Sequence, residues 1–417
     1  MDIKVIIKKE ELVSWLILTI YSKHGGYTIM ELMIGLLVLS PFTALGIGFV
    51  ALYFIAKKRL KLTFNYWTTS LLVLFFWSLI VSALNESWLS AGGSIFLLIY
   101  FLSSQFASDK YINIDTLHKI LNTVIKYTMI AAIAGILEKI VFAINGYGGH
   151  RIYSAFGNPN MTGSWFATII FVAAYMSTQN SEKKNNKMYV ISTILMVIAL
   201  LLTGSRGAYT ALAGTACIVT FIKGVTYNKK ILLFTAIILV IVGLIAFAES
   251  KIIAEYITAH PIEDSINPRM KIWTDGINLI KQKPIEGWGL LATMELGEEI
   301  LTTYNRGTIH VHNLWLTLWS TLGVIGLSIY IFMKCVLFKD LISLFKVNRE
   351  LSLLFISINL IVIIQGLVDV SLYAPQIGIL FTWSGAFVAN LLSKNKSTVA
   401  KTYIKRVKPM KRIKKAS

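Results

Sequence analysis

Runs of about 20 consecutive apolar residues recur along this chain of 417 residues, and they constrain the fold more than any other feature. A helix of about 20 residues crosses the hydrocarbon core of a bilayer and satisfies its backbone hydrogen bonds internally. Only 15% of the residues are charged, whereas about 25% is usual in soluble domains. The sequence therefore predicts an all-α polytopic membrane protein.

The apolar runs predict 11 or 12 transmembrane helices. The first run contains Pro41 near its middle, where either one helix kinks or two short helices meet. We expect the spans at residues 27–57, 65–86, 89–108, 121–145, 161–179, 187–204, 206–223, 230–249, 313–338, 351–372 and 374–393. They form a transmembrane domain of residues 27–393, between a cytoplasmic or interfacial segment (1–26) and a basic cytoplasmic tail (394–417).

The net charge of +19 is concentrated in short segments between the apolar runs. Lysine and arginine are enriched in loops that stay in the cytoplasm. Placing the basic tail there assigns to the cytoplasm the loops 57–64, 104–120, 180–187, 224–229 and 334–350, and to the outside the segments 146–160, 203–206, 250–312 and 372–374. We therefore expect a multi-pass protein of the cytoplasmic (inner) membrane. No basic helix face with base-reading residues accompanies the charge, so we expect no binding of nucleic acid.

The extracytoplasmic loop of residues 250–312 is the only segment long enough to form a small domain. Within it, Ile272, Trp273, Ile277 and Ile280 recur at helical spacing. This spacing predicts a short amphipathic helix that rests on the membrane. Because loops of this length usually have a function, we expect one large extracytoplasmic loop carrying short helices.

Four polar motifs lie on the extracytoplasmic side of the predicted topology. They are Arg151 with the turn Gly157-Asn158-Pro159-Asn160; Thr203-Gly204-Ser205-Arg206-Gly207; Arg269 with Trp273 and the later Gly287-Trp288-Gly289; and His310-Val311-His312-Asn313. Each motif alone has a structural explanation, since asparagines build turns and cap helices and arginines anchor helix ends in the interface. Three arginines on one face, however, predict an anion site that suits phosphate.

A zinc site is the alternative interpretation of His310 and His312. Zinc requires at least three protein ligands, and His260 and Glu263 would complete such a site only by folding back along the loop. Cys217 and Cys335 lie inside apolar runs, away from this loop. The sequence therefore predicts no metal and no cofactor.

In this order, the motifs resemble the O-antigen ligase and O-antigen polymerase superfamily. The resemblance covers about residues 145–390 and extends to Gly323, Asp369 and Ser371. It implies a metal-independent glycosyltransferase that moves a glycan from undecaprenyl pyrophosphate to an acceptor sugar hydroxyl with inversion. The implied partners are the lipid-linked glycan donor, a glycan or glycolipid acceptor and the lipid bilayer, and a flippase and a chain-length regulator remain open.

The resemblance also implies roles for individual residues. Arg206 and Arg269 would hold the donor pyrophosphate and stabilise the charge on that leaving group. His312 would be the base for the acceptor hydroxyl. The remaining expected substrate-binding residues are Arg151, Asn158, Asn160, Ser205, Trp273, His310 and Asn313.

Two other classes of protein remain open from the sequence: a transporter or flippase of lipid-linked glycan, and a non-catalytic membrane scaffold. Transport requires polar residues along the helices in mid-membrane. Few occur there, namely Glu138, Lys139, Gln365 and Asp369. Because the charged motifs collect at one face, the sequence favours chemistry at the surface over transport. The resemblance implies that this chemistry is polymerisation or ligation of O-antigen, capsule or exopolysaccharide.

Overall fold

The computed structural model describes residues 33–35, 37–109, 113–179, 183–224, 268–296 and 310–407. Within these ranges every regular element is helical, so the predicted all-α class is confirmed. The helices are α1 (Pro41–Ala56), α2 (Tyr66–Leu84), α3 (Trp88–Ala107), α4 (Ile114–Ile144), α5 (Pro159–Gln179), α6 (Lys183–Leu202), α7 (Arg206–Lys223), α8 (Pro268–Gln282), α9 (Leu314–Phe345), α10 (Arg349–Gln365) and α11 (Pro375–Val407), with 3-10 turns at Ala292–Met294 and Ser371–Tyr373.

Six of the described helices are long and apolar enough to cross a membrane: α2, α3, α4, α5, α9 and the first part of α11. Two shorter apolar helices, Pro41–Ala56 and Asn186–Leu202, lie beside them. A multi-pass membrane protein is therefore confirmed. The predicted span at 230–249 falls outside the described residues, so the total of 11 or 12 spans stays a prediction.

Several helix ends differ from the predicted spans. The first apolar run is interrupted at Ser40, whose extended backbone and side chain cap α1, in accord with the two-helix alternative at Pro41. Helix α4 begins earlier than expected because the Asn113 side chain caps it. Helix α11 continues to Val407 and thus into the predicted tail.

The predicted span 351–372 is too long, because α10 ends at Gln365. The backbone carbonyl of Gly366 accepts a hydrogen bond from Leu314 N (2.7 Å), and the carbonyl of Leu367 accepts one from Asn313 Nδ2 (3.0 Å). These carbonyls accept hydrogen bonds from the start of α9, and α10 does not continue past Gln365. We call residues 366–370 the junction.

The bundle is built around α5 and α11, whose spanning windows are 78% and 89% buried. Helices α1 and α3 pack with α11, and α2 packs with α3; on the other side α5 packs with α6, α7 and α10. Helix α9 contacts α2, α10 and α11 and joins the two groups. The buried tryptophans Trp67 and Trp165 donate to Thr382 O (2.9 Å) and Thr128 Oγ1 (3.0 Å), so their indole N–H groups are satisfied.

Helices α7 and α10 each run between segments that the sequence assigns to opposite sides of the membrane. At one end Lys223 Nζ lies 2.7 Å from Glu350 Oε2. At the other end Gln365 Nε2 donates to Asn160 O at 3.1 Å. The predicted alternation of loops is thus consistent with the bundle, and which end faces the cytoplasm remains a prediction from the basic residues.

The described part of the large loop contains the predicted amphipathic helix as α8. The segment after α8 is fastened to α9 where that helix is interrupted at Gly323, whose φ is +64°. Trp288 N and Gly289 N donate to Ser320 O (2.9 Å) and Thr321 O (2.8 Å). These bonds satisfy carbonyls that the interruption leaves without helical partners.

Gly323 cannot be replaced without moving this segment. A β-carbon at Gly323 would stand 1.8 Å from Ile285 O, and the left-handed φ disfavours any other residue. We expect Gly323→Ala to destabilise the protein by roughly 2–4 kcal/mol. The measurement is thermal unfolding of the purified protein in detergent.

Gly92→Ala is the matched control for that variant, because nothing lies within 4 Å of a β-carbon built at Gly92 in α3. This control should leave the unfolding temperature unchanged or raise it slightly. An equal effect of the two substitutions would contradict the proposed close approach at Gly323.

Candidate active site

The junction carries Asp369, a carboxylate whose side chain is only 3% exposed. Its Oδ1 accepts hydrogen bonds from His312 Nδ1 (3.2 Å) and Val370 N (2.8 Å), and it lies 3.6 Å from His310 Nε2. Burial raises the pKa of Asp369, but the hydrogen bond from His312 and the two nearby imidazoles outweigh it and lower the pKa to about 2. Asp369 is therefore ionised throughout the physiological range.

His310 is buried and supports the backbone of His312. His310 Nδ1 accepts a hydrogen bond from His312 N at 3.1 Å, so Nδ1 carries no proton and Nε2–H faces Asp369. Desolvation lowers the pKa of His310 to about 4, against the opposing charge of Asp369. His312 has a left-handed backbone with φ +50°, a conformation that costs about 1 kcal/mol or more and persists only when its surroundings fix it.

His312 is oriented with one ring nitrogen inward and the other available for chemistry. Because an ionised carboxylate can only accept, His312 Nδ1 carries the proton of the bond to Asp369, and a neutral ring keeps its lone pair on Nε2. The side chain is 28% exposed, so a substrate can reach it. Asn313 caps α9 by accepting from Trp315 N and Leu316 N, which fixes the chain directly after His312.

Arg151 lies against the segment that leads into α7, the helix that begins at Arg206. Arg151 Nε donates to Thr203 O at 2.7 Å, and its Nη2 donates to Asn160 Oδ1 at 2.8 Å. Ser205 caps α7 by accepting from Ala208 N, so Arg206 is the first residue of α7 and is exposed. A helix N-terminus favours anions, and here it adds to the charge of two arginines.

The junction connects the two arginines with the two histidines. A β-carbon at Gly207 would approach Val368 Cγ2 to 2.8 Å, so the turn after Arg206 lies directly against the residue before Asp369. Gln365, at the end of α10, donates to Asn160 O. The predicted residues of both motifs are thus brought to one end of the bundle.

Helix α8 covers the histidines. Trp273 Nε1 donates to His312 O at 3.4 Å, and a β-carbon at Gly276 would meet Val311 Cγ1 at 2.9 Å. Arg269 precedes Trp273 by one helical turn and therefore shares its face of α8.

Asn158 caps a helix. Its side chain accepts hydrogen bonds from Asn160 N and Met161 N at the start of α5.

Sequence reasoning missed the partner of His312. It placed Asp369 at the end of a span, but it did not connect this residue with the histidines. The available signal was a single acid in the apolar stretch 351–372, because a carboxylate in such a position requires a buried partner.

His310, His312 and Asp369 form the one group in the described part of the chain that can offer three metal-ligand atoms, all within 4.8 Å of one another. A metal ligand must present a lone pair. His310 Nδ1 already accepts an N–H, so ligation through Nε2 would require His310 to lose both ring protons. The observed hydrogen bonds therefore fit a histidine–carboxylate pair better than a metal centre.

An apolar cavity adjoins this group. Its wall includes Val370 and Tyr373 next to Asp369, Leu290 and Leu291 from the segment after α8, and residues of α2, α3, α9 and α11. The cavity therefore begins beside the histidines and extends into the bundle. Its lining suits a hydrocarbon chain.

Comparison with known proteins gives two results. Residues 191–331 match the family described as O-antigen ligase, and this range includes Ser205, Arg206, Arg269, His310 and His312. An uncharacterized protein of Haemophilus influenzae is 25% identical over 190 residues. That match spans 41% of this chain and 46% of the relative, less than half the length of each.

Burial of His310 predicts a dependence of stability on pH. The unfolded histidine binds a proton near pH 6.5, whereas the folded one resists protonation until about pH 4. The free energy of unfolding should therefore fall as the pH is lowered from 6.5 to 4, by on the order of 2–3 kcal/mol from this residue. Thermal unfolding in detergent at several pH values measures it.

His310→Gln isolates this contribution from those of the other titrating groups, because glutamine can accept the bond from His312 N without binding a proton. The stability of the wild type relative to the variant should therefore fall as the pH is lowered from 6.5 to 4. A difference that is constant from pH 7 to pH 4 would exclude the neutral, buried state of His310.

Proposed function

We propose that this chain, whose residues 191–331 match the family described as O-antigen ligase, transfers a glycan from undecaprenyl pyrophosphate to a sugar hydroxyl during surface-polysaccharide assembly. The observation that carries this proposal is the His312–Asp369 pair at the same end of the bundle as Arg151 and the start of α7 at Arg206. A base and an anion site at one end of the bundle are the two parts that such a transfer needs.

His312 would act on the acceptor. Asp369 holds the imidazole by Nδ1 at 3.2 Å, so Nε2 can take the proton of the acceptor hydroxyl while its oxygen attacks the anomeric carbon. The bond between that carbon and the pyrophosphate oxygen breaks, and attack from the opposite face inverts the anomeric configuration. The ionised Asp369 stabilises the imidazolium that forms.

The arginines would act on the donor. Negative charge grows on the pyrophosphate as it leaves, and Arg206 at the start of α7 would neutralise it together with Arg269 from α8. Arg151, held by Thr203 O and Asn160 Oδ1, would position the same group. The apolar cavity below the junction has the lining that an isoprenoid chain requires.

The proposed reaction takes place at the extracytoplasmic face, because the basic loops at the opposite end favour the cytoplasm. The acceptor would be a glycan or glycolipid at that face. Polymerisation and ligation place the same demands on the described residues, and a flippase would have to supply the donor from the other side.

Transport of the lipid-linked glycan is less well supported. Of the four polar residues that the sequence suggested for the middle of the membrane, Gln365 binds Asn160 O and Asp369 binds His312, while Glu138 binds Tyr153 N and Lys139 binds His150 O. All four contacts fasten elements at one end of the bundle. None of these residues is left to line a polar path.

Replacement of His312 tests the proposed chemistry. His312→Ala should reduce glycan transfer by about a hundredfold or more, because it removes the base. Asp369→Asn should also reduce the rate, since an amide can donate to Nδ1 and hold the ring in the wrong tautomer. The readout is the length and amount of surface glycan in cells, with membrane insertion checked in parallel.

His118→Ala is the matched control for these variants. His118 Nε2 lies 2.9 Å from Tyr175 OH, near the start of α4 and the end of α5, away from the junction. If the length and amount of surface glycan were unchanged in His312→Ala, Arg206→Ala and Arg269→Ala, the proposed activity would be contradicted.

Metal removal provides a separate prediction. Since His310 Nδ1 is occupied by a backbone N–H, we expect transfer activity to survive dialysis against a chelator. The measurement compares the rate of the purified protein before and after treatment. A loss of activity that added zinc or manganese restores would instead assign His310, His312 and Asp369 as metal ligands.

A further inference from the structure

Glu138 and Lys139 are the only charged residues in the last 18 positions of α4, from Tyr127 to Ile144. Charged side chains within a membrane-spanning helix are unfavourable unless they have partners, and they commonly mark functional sites. Neither residue belongs to the motifs of the candidate active site. Their contacts explain why they occur there.

Glu138 binds the chain on both sides of Arg151. Its Oε1 lies 2.7 Å from His150 Nε2 and accepts from Tyr153 N at 3.0 Å, and its Oε2 accepts from Ser154 N at 2.8 Å. A single carboxylate thus holds the residue before Arg151 and two residues shortly after it.

Lys139 fastens the same segment from its other side. Its Nζ donates to Gly148 O and to His150 O, both at 2.6 Å. The ring of His150 also stacks on Phe142, with 3.7 Å between the ring centroids. The main chain around His150 is therefore fixed to the last two turns of α4.

The contacts of Glu138 and Lys139 affect the position of the Arg151 guanidinium. It reaches Thr203 O and Asn160 Oδ1 from a loop that these two bonds alone would not fix. The same loop is anchored behind Arg151 by Ile152, which is fully buried and packs where Gly135 of α4 lacks a side chain. The contacts from α4 therefore hold the backbone from which the Arg151 guanidinium reaches the segment before Arg206.

We propose that Glu138 is a positioning residue for Arg151 and thereby sets the affinity for the pyrophosphate donor. This inference rests on the proposed function, in which Arg151 contacts the donor. Glu138 itself does not touch the substrate. It acts by holding His150, Tyr153 and Ser154 in the conformation that directs Arg151 toward Thr203 and Asn160.

The test uses the full-length protein in lipid nanodiscs with a lipid-linked oligosaccharide donor, and it measures kcat and the KM for the donor. Glu138→Ala should raise that KM by about fivefold, the usual effect of losing a hydrogen-bonded restraint, with little change in kcat. Arg151→Ala should raise it at least as much. The double variant should match Arg151→Ala alone, because both substitutions remove one interaction.

Two further variants keep the test decisive. Glu138→Gln retains an acceptor oxygen for the backbone N–H groups and should give a smaller effect if Glu138→Ala folds poorly. Glu350→Gln removes a carboxylate bound at the same 2.7 Å to Lys223, at the opposite end of the bundle, and should leave the donor KM unchanged.

Additive effects of Glu138→Ala and Arg151→Ala on the donor KM would overturn the positioning role. So would an unchanged KM in both Glu138 variants while Arg151→Ala raises it. If Arg151→Ala and His312→Ala were both without effect, the proposed function itself would fail, which is a different outcome.

Discussion

The arrangement of the site depends on one buried carboxylate. The Asp369 side chain is almost fully buried, and its Oδ1 is surrounded by His312 Nδ1–H, Val370 N–H and the ring of His310. An unpaired carboxylate in such a place would be strongly destabilising. The junction and the residues before α9 must therefore come together, and their meeting fixes both histidines.

The two histidines and the start of α7 at Arg206 both depend on the junction that carries Asp369. The junction that carries Asp369 also presents Val368 to the turn at Gly207, and it follows Gln365, which binds Asn160 O. It can adopt a non-helical conformation because its carbonyls are satisfied by Leu314 N and Asn313 Nδ2. The second interruption, at Gly323, is satisfied in the same way by Trp288 N and Gly289 N.

The sequence predicted those features that depend on local patterns. Apolar runs predicted the helices, the spacing of Ile272, Trp273 and Ile280 predicted α8, and the alternation of basic loops predicted that the polar motifs lie on one side. The end of α10 was predicted incorrectly because its cause lies in another helix: the backbone of α9 takes the carbonyl of Gly366. No periodicity in residues 351–372 records that contact.

The same limit applies to the partner of His312. A histidine and an aspartate that lie 57 residues apart have no sequence spacing that reports a contact. Glu138 and Lys139 were visible as charges in an apolar helix, yet their role became apparent only from the bonds to His150, Tyr153 and Gly148. Local chemistry thus identified the residues, whereas the tertiary fold determined which of them act together.

The most direct test of the central claim is glycan transfer by the purified protein alone. The protein would be reconstituted in nanodiscs with a defined undecaprenyl-pyrophosphate-linked oligosaccharide and no nucleotide sugar, and the lipid and glycan products would be identified by mass spectrometry. We expect a longer or transferred glycan together with one released undecaprenyl pyrophosphate for each bond formed. Donor that stays intact in correctly folded preparations, or that only changes leaflet in proteoliposomes, would contradict a glycosyltransferase.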